Sequence, residues 1–427
     1  MRRQAQHARE PGGIQKLQAP QMLSILSNRT FRAFYLAQVA SLVGAGLATV
    51  ALGLMAFELA GSGAGAVLGM ALALKTLTTV GLSPFVTAGL ERFSRRSALI
   101  GLEIARGAVM FIFPFVTEVW QVYVLIVLLH SVSAGLVPTV RSTIPDILPD
   151  EKDYTRALVL TQLSYDMETV ASPLLALLLL SLVPLDGLFL VAVAGFLTSA
   201  ALIASVSLPS QNVAVSLGVG ARAVKGLRLY LVTPMLRSLL ALTFCAATAS
   251  AMVLVNTVVL VQSELGLEPK ATVFALAVFG IGSMSAAVLI PRLLDRFPER
   301  AIMLAGACLC AGGLGAGAAV SSYATILLLW LGLGAGYALI LTPAGRLVAR
   351  SAARSDRSVL FAAQFALTHA CWFVAYLTAG MAGAAVGIAF TFAILAAMAA
   401  AGLLVGLRVW PADHAVAAAV CNDRHEQ

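Results

Sequence analysis

Apolar residues run through this chain in long unbroken stretches rather than in alternation with polar ones. They fall near 33–60, 66–90, 98–115, 119–140, 156–183 and 187–207, then, after a more polar interval, near 239–262, 272–291, 301–319, 323–345, 358–383 and 387–407. Each is close to the roughly 20 residues that an α-helix needs to cross a bilayer. Membrane β-strands would instead alternate apolar and polar residues in segments of about ten. Runs such as Val122–Leu129 and Leu174–Val183 are too uniformly apolar for that. The pattern predicts an all-α membrane protein with twelve transmembrane helices. The first 32 residues are basic rather than apolar, and the first span is too long for a cleaved signal peptide, so it is read as retained.

Composition removes the competing classes. Of 427 residues, 60% are hydrophobic and 11% charged, against about 45–50% and about 25% in soluble domains. With only five Cys at this length, a secreted disulfide scaffold is excluded. The Cys fall in spans or in the tail, and no disulfide is expected.

Positive charge gives the orientation independently. Of the 28 Lys and Arg, 25 fall in the first arm, the even-to-odd loops, the central segment and the tail; Lys270 is alone on the other side, and Lys75 and Arg106 lie within spans. A missed or invented span would have moved later basic loops across the membrane. Basic loops mark the cytoplasmic side, so both termini are expected in the cytoplasm, with the chain multi-pass in the cell inner (plasma) membrane. The net charge of +8 is thereby explained by topology, and no nucleic-acid partner is expected.

The chain also repeats itself. Glu91-Arg92-Phe93-Ser94-Arg95-Arg96, after the second span, is answered by Asp295-Arg296-Phe297-Pro298-Glu299-Arg300 after the eighth, 204 positions on. Pro138-Thr139-Val140-Arg141 is answered by Pro343-Ala344-Gly345-Arg346, and Gln162 in the fifth span by Gln364 in the eleventh, at offsets of 205 and 202. Ordered landmarks at nearly one offset indicate two six-helix halves in parallel repeat. The expected divisions are an arm at 1–32, a first half at 33–207, a central cytoplasmic linker at 208–238, a second half at 239–407 and a tail at 408–427.

The acidic-Arg-Phe-x-x-Arg loops resemble the signature loop of the major facilitator superfamily (MFS), and the likeness covers essentially the whole chain. Within that superfamily, Pro138–Pro149 resembles a bacterial efflux permease branch that includes exporters of siderophores, macrolides and nickel. The chain departs from the family pattern at Thr87 and Pro291, where Gly is expected, at Leu129-His130-Ser131, which lacks the fourth-span Arg of many drug/proton antiporters, and at Ser172-Pro173, where those antiporters carry a Gly-Pro-Gly-rich motif. The resemblance implies the MFS fold, alternating access, and export. It also implies a cytoplasmic gate in which Glu91, Arg92 and Arg95, with Asp295, Arg296 and Arg300, pin neighbouring helices, within reach of Arg141 and Arg346. Carboxylate–guanidinium pairs suit this because they fix orientation as well as charge.

Ionisable groups inside the spans are costly, about 2.5–3.5 kcal/mol each even on lenient insertion scales, and each needs a reason. Glu103 and Arg106 are at i,i+3 and can form a structural ion pair. Lys75 has no evident partner. In the fifth span Gln162, Asp166, Thr169 and Pro173 share one stripe, while Glu168 lies roughly 200° from Asp166. Asp166 lies about 15 Å past Arg156, near the midplane. Its repeat position is close to His369, which heads a stripe with Trp372 and Tyr376, with Gln364 on the adjacent face. Asp166, Glu168 and His369 are therefore the candidate substrate and proton-coupling groups, with Gln162, Gln364, Trp372, Tyr376 and His130 around them; interhelical packing is the alternative role. Gly-rich runs such as Gly312–Gly317 lie within spans and are read as close helix packing rather than phosphate loops.

The resulting expectation is a secondary active transporter, proton-coupled and exporting a small organic compound such as a drug or siderophore. The alternative is a divalent metal exporter of the nickel or cobalt kind, using His369 with Asp166 or Glu168; which residues would ligate a metal is left open. The expected partners are this small-molecule or ion substrate and the lipid bilayer, with the chain working as a monomer and without a cofactor. A membrane enzyme would need a nucleophile or metal cluster near an interface, and a receptor or scaffold would need large soluble loops; neither is evident.

Overall fold

The computed structural model describes residues 24–90, 92–208, 219–351 and 356–410, and among them every regular element is helical. The first half contains α1 (Arg29–Ala60), α2 (Ala64–Leu90), α3 (Arg95–Ile112), α4 (Val119–Ser133) continued by α5 (Leu136–Ile147), α6 (Glu151–Leu179) and α7 (Leu185–Ala204). The connecting helix α8 (Val219–Val232) follows. The second half contains α9 (Pro234–Val258, prolonged by a wider turn, Val259–Glu264), α10 (Pro269–Leu294), α11 (Glu299–Gly317), α12 (Tyr323–Arg350), α13 (Arg357–Val386) and α14 (Ile388–Val409). With α4 and α5 forming one span, these are the twelve transmembrane helices.

Ten segments stand out as long and apolar enough to cross a membrane, and the first, Arg29–Ser83, holds two helices that meet at a short turn. The remaining span, fifth in chain order, is α6, whose 29 residues carry the acidic and basic groups that make it the least apolar. The spans begin where the chain offers caps. Asn28 accepts from the Phe31 amide at 3.0 Å and Ser94 from Ser97 at 3.1 Å, while Pro234 and Pro269 open α9 and α10. Gly61, Gly266 and Gly387, at φ +53°, +64° and +82°, make the tight turns between spans. Large apolar side chains such as Phe85, Leu182, Leu328 and Phe390 are exposed on the outer surface, where lipid would cover them.

Packing repeats as the sequence does. In the first half α1 packs on α7, α7 on α3, and α2 on α4; in the second, α9 packs on α14, α14 on α11, and α10 on α12. Across the halves α2 meets α13 and α6 meets α10, again a repeat-related pair of contacts. The glycine-rich stretches serve these crossings. A Cβ on Gly334 of α12 would lie 2.0 Å from the Phe279 carbonyl oxygen of α10, so only glycine lets the backbones approach this closely.

Three details differ from the sequence expectation. The fourth span does not end near 140 but resumes after Gly135 as α5 and continues to Ile147. The fifth span starts at Glu151, and the eighth and tenth run on to Leu294 and Arg350. These extensions carry charged residues, which hydropathy counts as loop but which project beyond the apolar layer. Within the 208–238 segment lies α8, held to the second half by the Tyr230 hydroxyl donating to Gln364 Oε1 and by Lys225–Asp356 at 2.6 Å.

Candidate functional site: a charged cavity between the two halves

The loops rich in Arg define a basic face, and the connections at Gly61, Gly266 and Gly387 lie on the opposite one. A cavity of about 530 Å³ extends from the basic face, where Phe34, Arg141 and Ile203 line it, down to Lys75, Glu168 and His369. Beyond it lies a second cavity of about 230 Å³, between α1, α2, α6, α9 and α10, and a small third one of about 60 Å³ within the first half. Lys75 and Glu168 line all three. They therefore stand where the three spaces meet.

Helix arithmetic explains that meeting point. Lys75 is eleven residues from the start of α2, His130 eleven from the start of α4, and Glu168 eleven from the end of α6. Each count begins at the opposite face, so at 1.5 Å per residue all three lie at one level, about 16 Å in. Glu168 passes close to Gly46 of α1, whose missing side chain leaves room for it; a Cβ there would be 3.2 Å from Glu168 Cγ and 1.8 Å from Ser172 Oγ. Among the described residues no carboxylate oxygen lies within 4.0 Å of the Lys75 ammonium.

Beside this level the Glu103–Arg106 pair is made as expected, at 3.0 Å, with both residues buried. Arg106 also donates to Ser41 Oγ at 2.6 Å and lies over the Phe196 ring at 4.0 Å, while Ser199 donates to the other Glu103 oxygen at 3.1 Å. This network ties α1, α3 and α7 together, and its two charges satisfy each other.

The remaining candidates are distributed unevenly. His130 lines the large cavity and the small one. His369 lines the large cavity, its Nδ1 2.8 Å from the Phe365 carbonyl oxygen and its ring packed on Phe365 at 4.1 Å. Gln364 is occupied by Tyr230 and donates to Thr368 Oγ1 at 3.0 Å, so it serves the α8–α13 contact. Trp372 packs edge-on against Tyr337 at 6.3 Å, and Tyr376 is buried where α13 crosses α2. The side chains of Gln162 and Asp166 lie outside the described ones. Sequence reasoning left Lys75 unassigned. Its signal was there, a lone ammonium in an apolar span, but the partner level spans α2, α4 and α6 and emerges only in three dimensions.

At the basic rim Glu91 lies outside the described residues. Arg95 pairs with Asp146 at 3.0 Å and donates to Thr143 at 3.2 Å. Glu299 pairs with Arg346 and Arg350, both at 3.3 Å. Asp295 is exposed and has no ion-pair partner among the described residues, so the acid that Arg346 reaches is Glu299. Arg92 and Arg296 are exposed, Arg300 is half-buried, and Arg141 lines the mouth of the cavity. Arg95–Asp146 and Glu299–Arg350 occupy repeat-related positions, each 204 apart, with the charges exchanged. Among the described residues, no ion pair joins one half to the other.

At the opposite face the halves close on each other. A Cβ on Gly69 would lie 2.6 Å from the Tyr376 carbonyl oxygen, and one on Gly380 would lie 2.7 Å from that of Gly65. Asn256 of α9 is buried over this crossing, its Oδ1 close to Gly65 and Gly383 and its amide donating to the Ala379 carbonyl at 3.1 Å. The site therefore reaches the basic face, while at the other face α2 and α13 close on each other beside a separate cavity of about 260 Å³ lined by Glu58, Gln262 and Lys270.

The whole arrangement has known counterparts in fold. A bacterial homolog of the human lysosomal transporter Spinster, solved inward-facing and unoccupied, superposes with a TM-score of 0.68 at 13% identity, over 90% of this chain and 98% of that one. The nucleoside transporter NupG matches with 0.68 at 12% identity, over 90% and 100%. A D-xylose–proton symporter matches with 0.65 at 17% identity, over 89% and 97%. No curated protein matches the sequence significantly. The sequence profile of the Major Facilitator Superfamily matches residues 34–291 and 239–420, so this chain, with its two repeated six-helix halves around a central cavity, belongs to that superfamily of secondary transporters.

Proposed function

We propose that the protein carries a small organic solute across the cell inner membrane by alternating access, coupled to protons at the level of Glu168, with His130 and His369 beside it. The observation that carries this reading is the cavity between the halves, accessible at one face, narrowed toward the other by the α2–α13 crossing, and ending on ionisable side chains about 16 Å from that face. A carboxyl and an imidazole at that depth are groups able to take up and release a proton as access alternates.

The 25 basic residues on one side support a cytoplasmic basic face with both termini there, and the cavity is then open to the cytoplasm. Export follows from the resemblance of Pro138–Pro149 to efflux permeases. The rim pairs brace each half at the cytoplasmic mouth, residues 208–238 link the halves, the monomer is the working unit, and the chain is not an enzyme. The metal alternative is weakened by the site's own charge. Lys75 and Arg106 share the cavity that would have to hold the dication, and among the described residues no three His, Cys, Asp or Glu converge on one point.

Flux in proteoliposomes under imposed pH gradients of either sign tests this, with organic solutes and with nickel and cobalt. Gradient-driven movement of an organic solute is expected, lost in Glu168→Gln or Asp166→Asn with insertion intact. Unchanged coupling in both variants removes the proton role, and metal flux alone restores the metal reading.

A further inference from the structure

Building on the transporter reading, the geometry points to a solute with an anionic head group, a carboxylate on an apolar body, bound by the Lys75 ammonium where the three cavities meet. The polar and charged groups around that point come from several helices. Helix α1 contributes only neutral polar groups such as Ser41 and Thr49. On α3, Arg106 is already matched by Glu103 and Ser41. Helix α4 brings His130 and its continuation brings Arg141 at the mouth; α6 brings Glu168, α12 the neutral Tyr337, and α13 brings His369. Besides the two imidazoles and the matched Glu103–Arg106 pair, two cations, Lys75 and Arg141, face one described acid, Glu168. Arg141 stands at the mouth and Lys75 at the far end, so positive potential runs along the entry route and increases local anion concentration.

A half-buried ammonium inside an apolar span needs a partner, and no described carboxylate lies within 4.0 Å of it. An incoming carboxylate supplies that partner with charge-assisted hydrogen bonds from an ammonium that has three donors. The body of the solute would lie toward the basic face, against Leu42, Leu136 and Phe365. Glu168 enters as a competitor. Ionised, it opposes the anion; protonated, it leaves Lys75 to the solute.

The test uses the purified full-length protein and compounds matched in body but not in head group: benzoate, benzamide and benzylamine; 3-phenylpropionate with its amide and amine; and hexanoate with its amide and amine. Each is titrated while the melting temperature is followed. At least one acid should raise it where its amide and amine do not. Lys75→Gln should weaken that acid at least tenfold, Lys75→Arg should retain it, and Glu168→Gln should bind it as well or better. Stabilisation by amines or amides in preference to acids overturns the assignment, as does an acid effect that survives in Lys75→Gln, or no acid effect in any set. Should Lys75→Gln fail to fold, the head-group preference of the wild type and of Lys75→Arg decides. A protein that moves solute in the flux assay but is stabilised by no acid fails this proposal alone; one that moves no solute fails the transporter reading itself.

Discussion

If the crossing of α2 and α13 is what shuts the opposite face, adding a single methyl group there should open it. In Gly69→Ala the new Cβ would lie 2.6 Å from the Tyr376 carbonyl oxygen and 2.8 Å from Gly380 Cα. Ordinary contact needs about 3.4 Å or more, and the obstructing atoms are backbone, so the helices must part by roughly 0.6–0.8 Å rather than rotate a side chain aside. Overpacking of this kind costs about 1–3 kcal/mol. The cost falls on the conformation in which the crossing is closed and not on one in which the helices have separated. It therefore shifts the balance toward opening by about 5- to 150-fold. The reporter is Leu254→Cys, which lines the 230 Å³ cavity behind the crossing, in a background without the native cysteines. Its labelling by a membrane-impermeant maleimide added at the opposite face should accelerate by that factor in Gly69→Ala. Gly53→Ala is the control, since a Cβ there meets only Leu68 Cδ2, at an ordinary 3.6 Å, and labelling should change less than about twofold. Equal rates in the two glycine variants would refute the steric argument.

Two further outcomes follow from the ion pairs. Arg106→Leu leaves Glu103 buried without its partner and should destabilise the protein by about 3–5 kcal/mol, whereas Glu103→Leu with Arg106→Leu should recover much of that loss; melting of the purified variants, read as the order single below double, checks it. Arg95→Asp should weaken the first-half rim by no more than about 1 kcal/mol because Asp146 is 36% exposed. Adding Asp146→Arg, which gives the first half the charge order already found at Glu299 and Arg350, should restore wild-type flux; no rescue would mean that these residues act through something other than their mutual attraction.

Much of the architecture was legible along the chain because bilayer crossing imposes its own length and polarity on each segment. The repeat was legible because Glu91 and Asp295 recur in equivalent loops, and the Glu103–Arg106 pair because i,i+3 neighbours on one helix must meet. The site was less so. On α6 the spacing gave two carboxyls on different faces but not what either would meet; Glu168 lies against Gly46 of α1 and lines the cavities, while the Asp166 side chain lies outside the described ones. Gln364 looked like the counterpart of Gln162, yet its partner is Tyr230, 134 positions away on a helix that hydropathy had concealed. Arg346 was expected beside Asp295, but the acid four residues on, Glu299, starts α11 and lies nearer the end of α12. Each miss concerns a contact between helices far apart in sequence, about which period and composition are silent.

The rim pairs carry one more consequence. Because Arg95–Asp146 and Glu299–Arg350 are each completed inside a single half, they stiffen the two lobes without fastening them to each other. Among the described residues no ion pair then clasps the halves together at the basic face, whereas at the far end glycine backbones interlock beneath Asn256. Such a carrier resembles a purse with its catch on one side only. Its mouth rests open at the basic face, and the ease with which that glycine catch lets go would set how readily the molecule turns over.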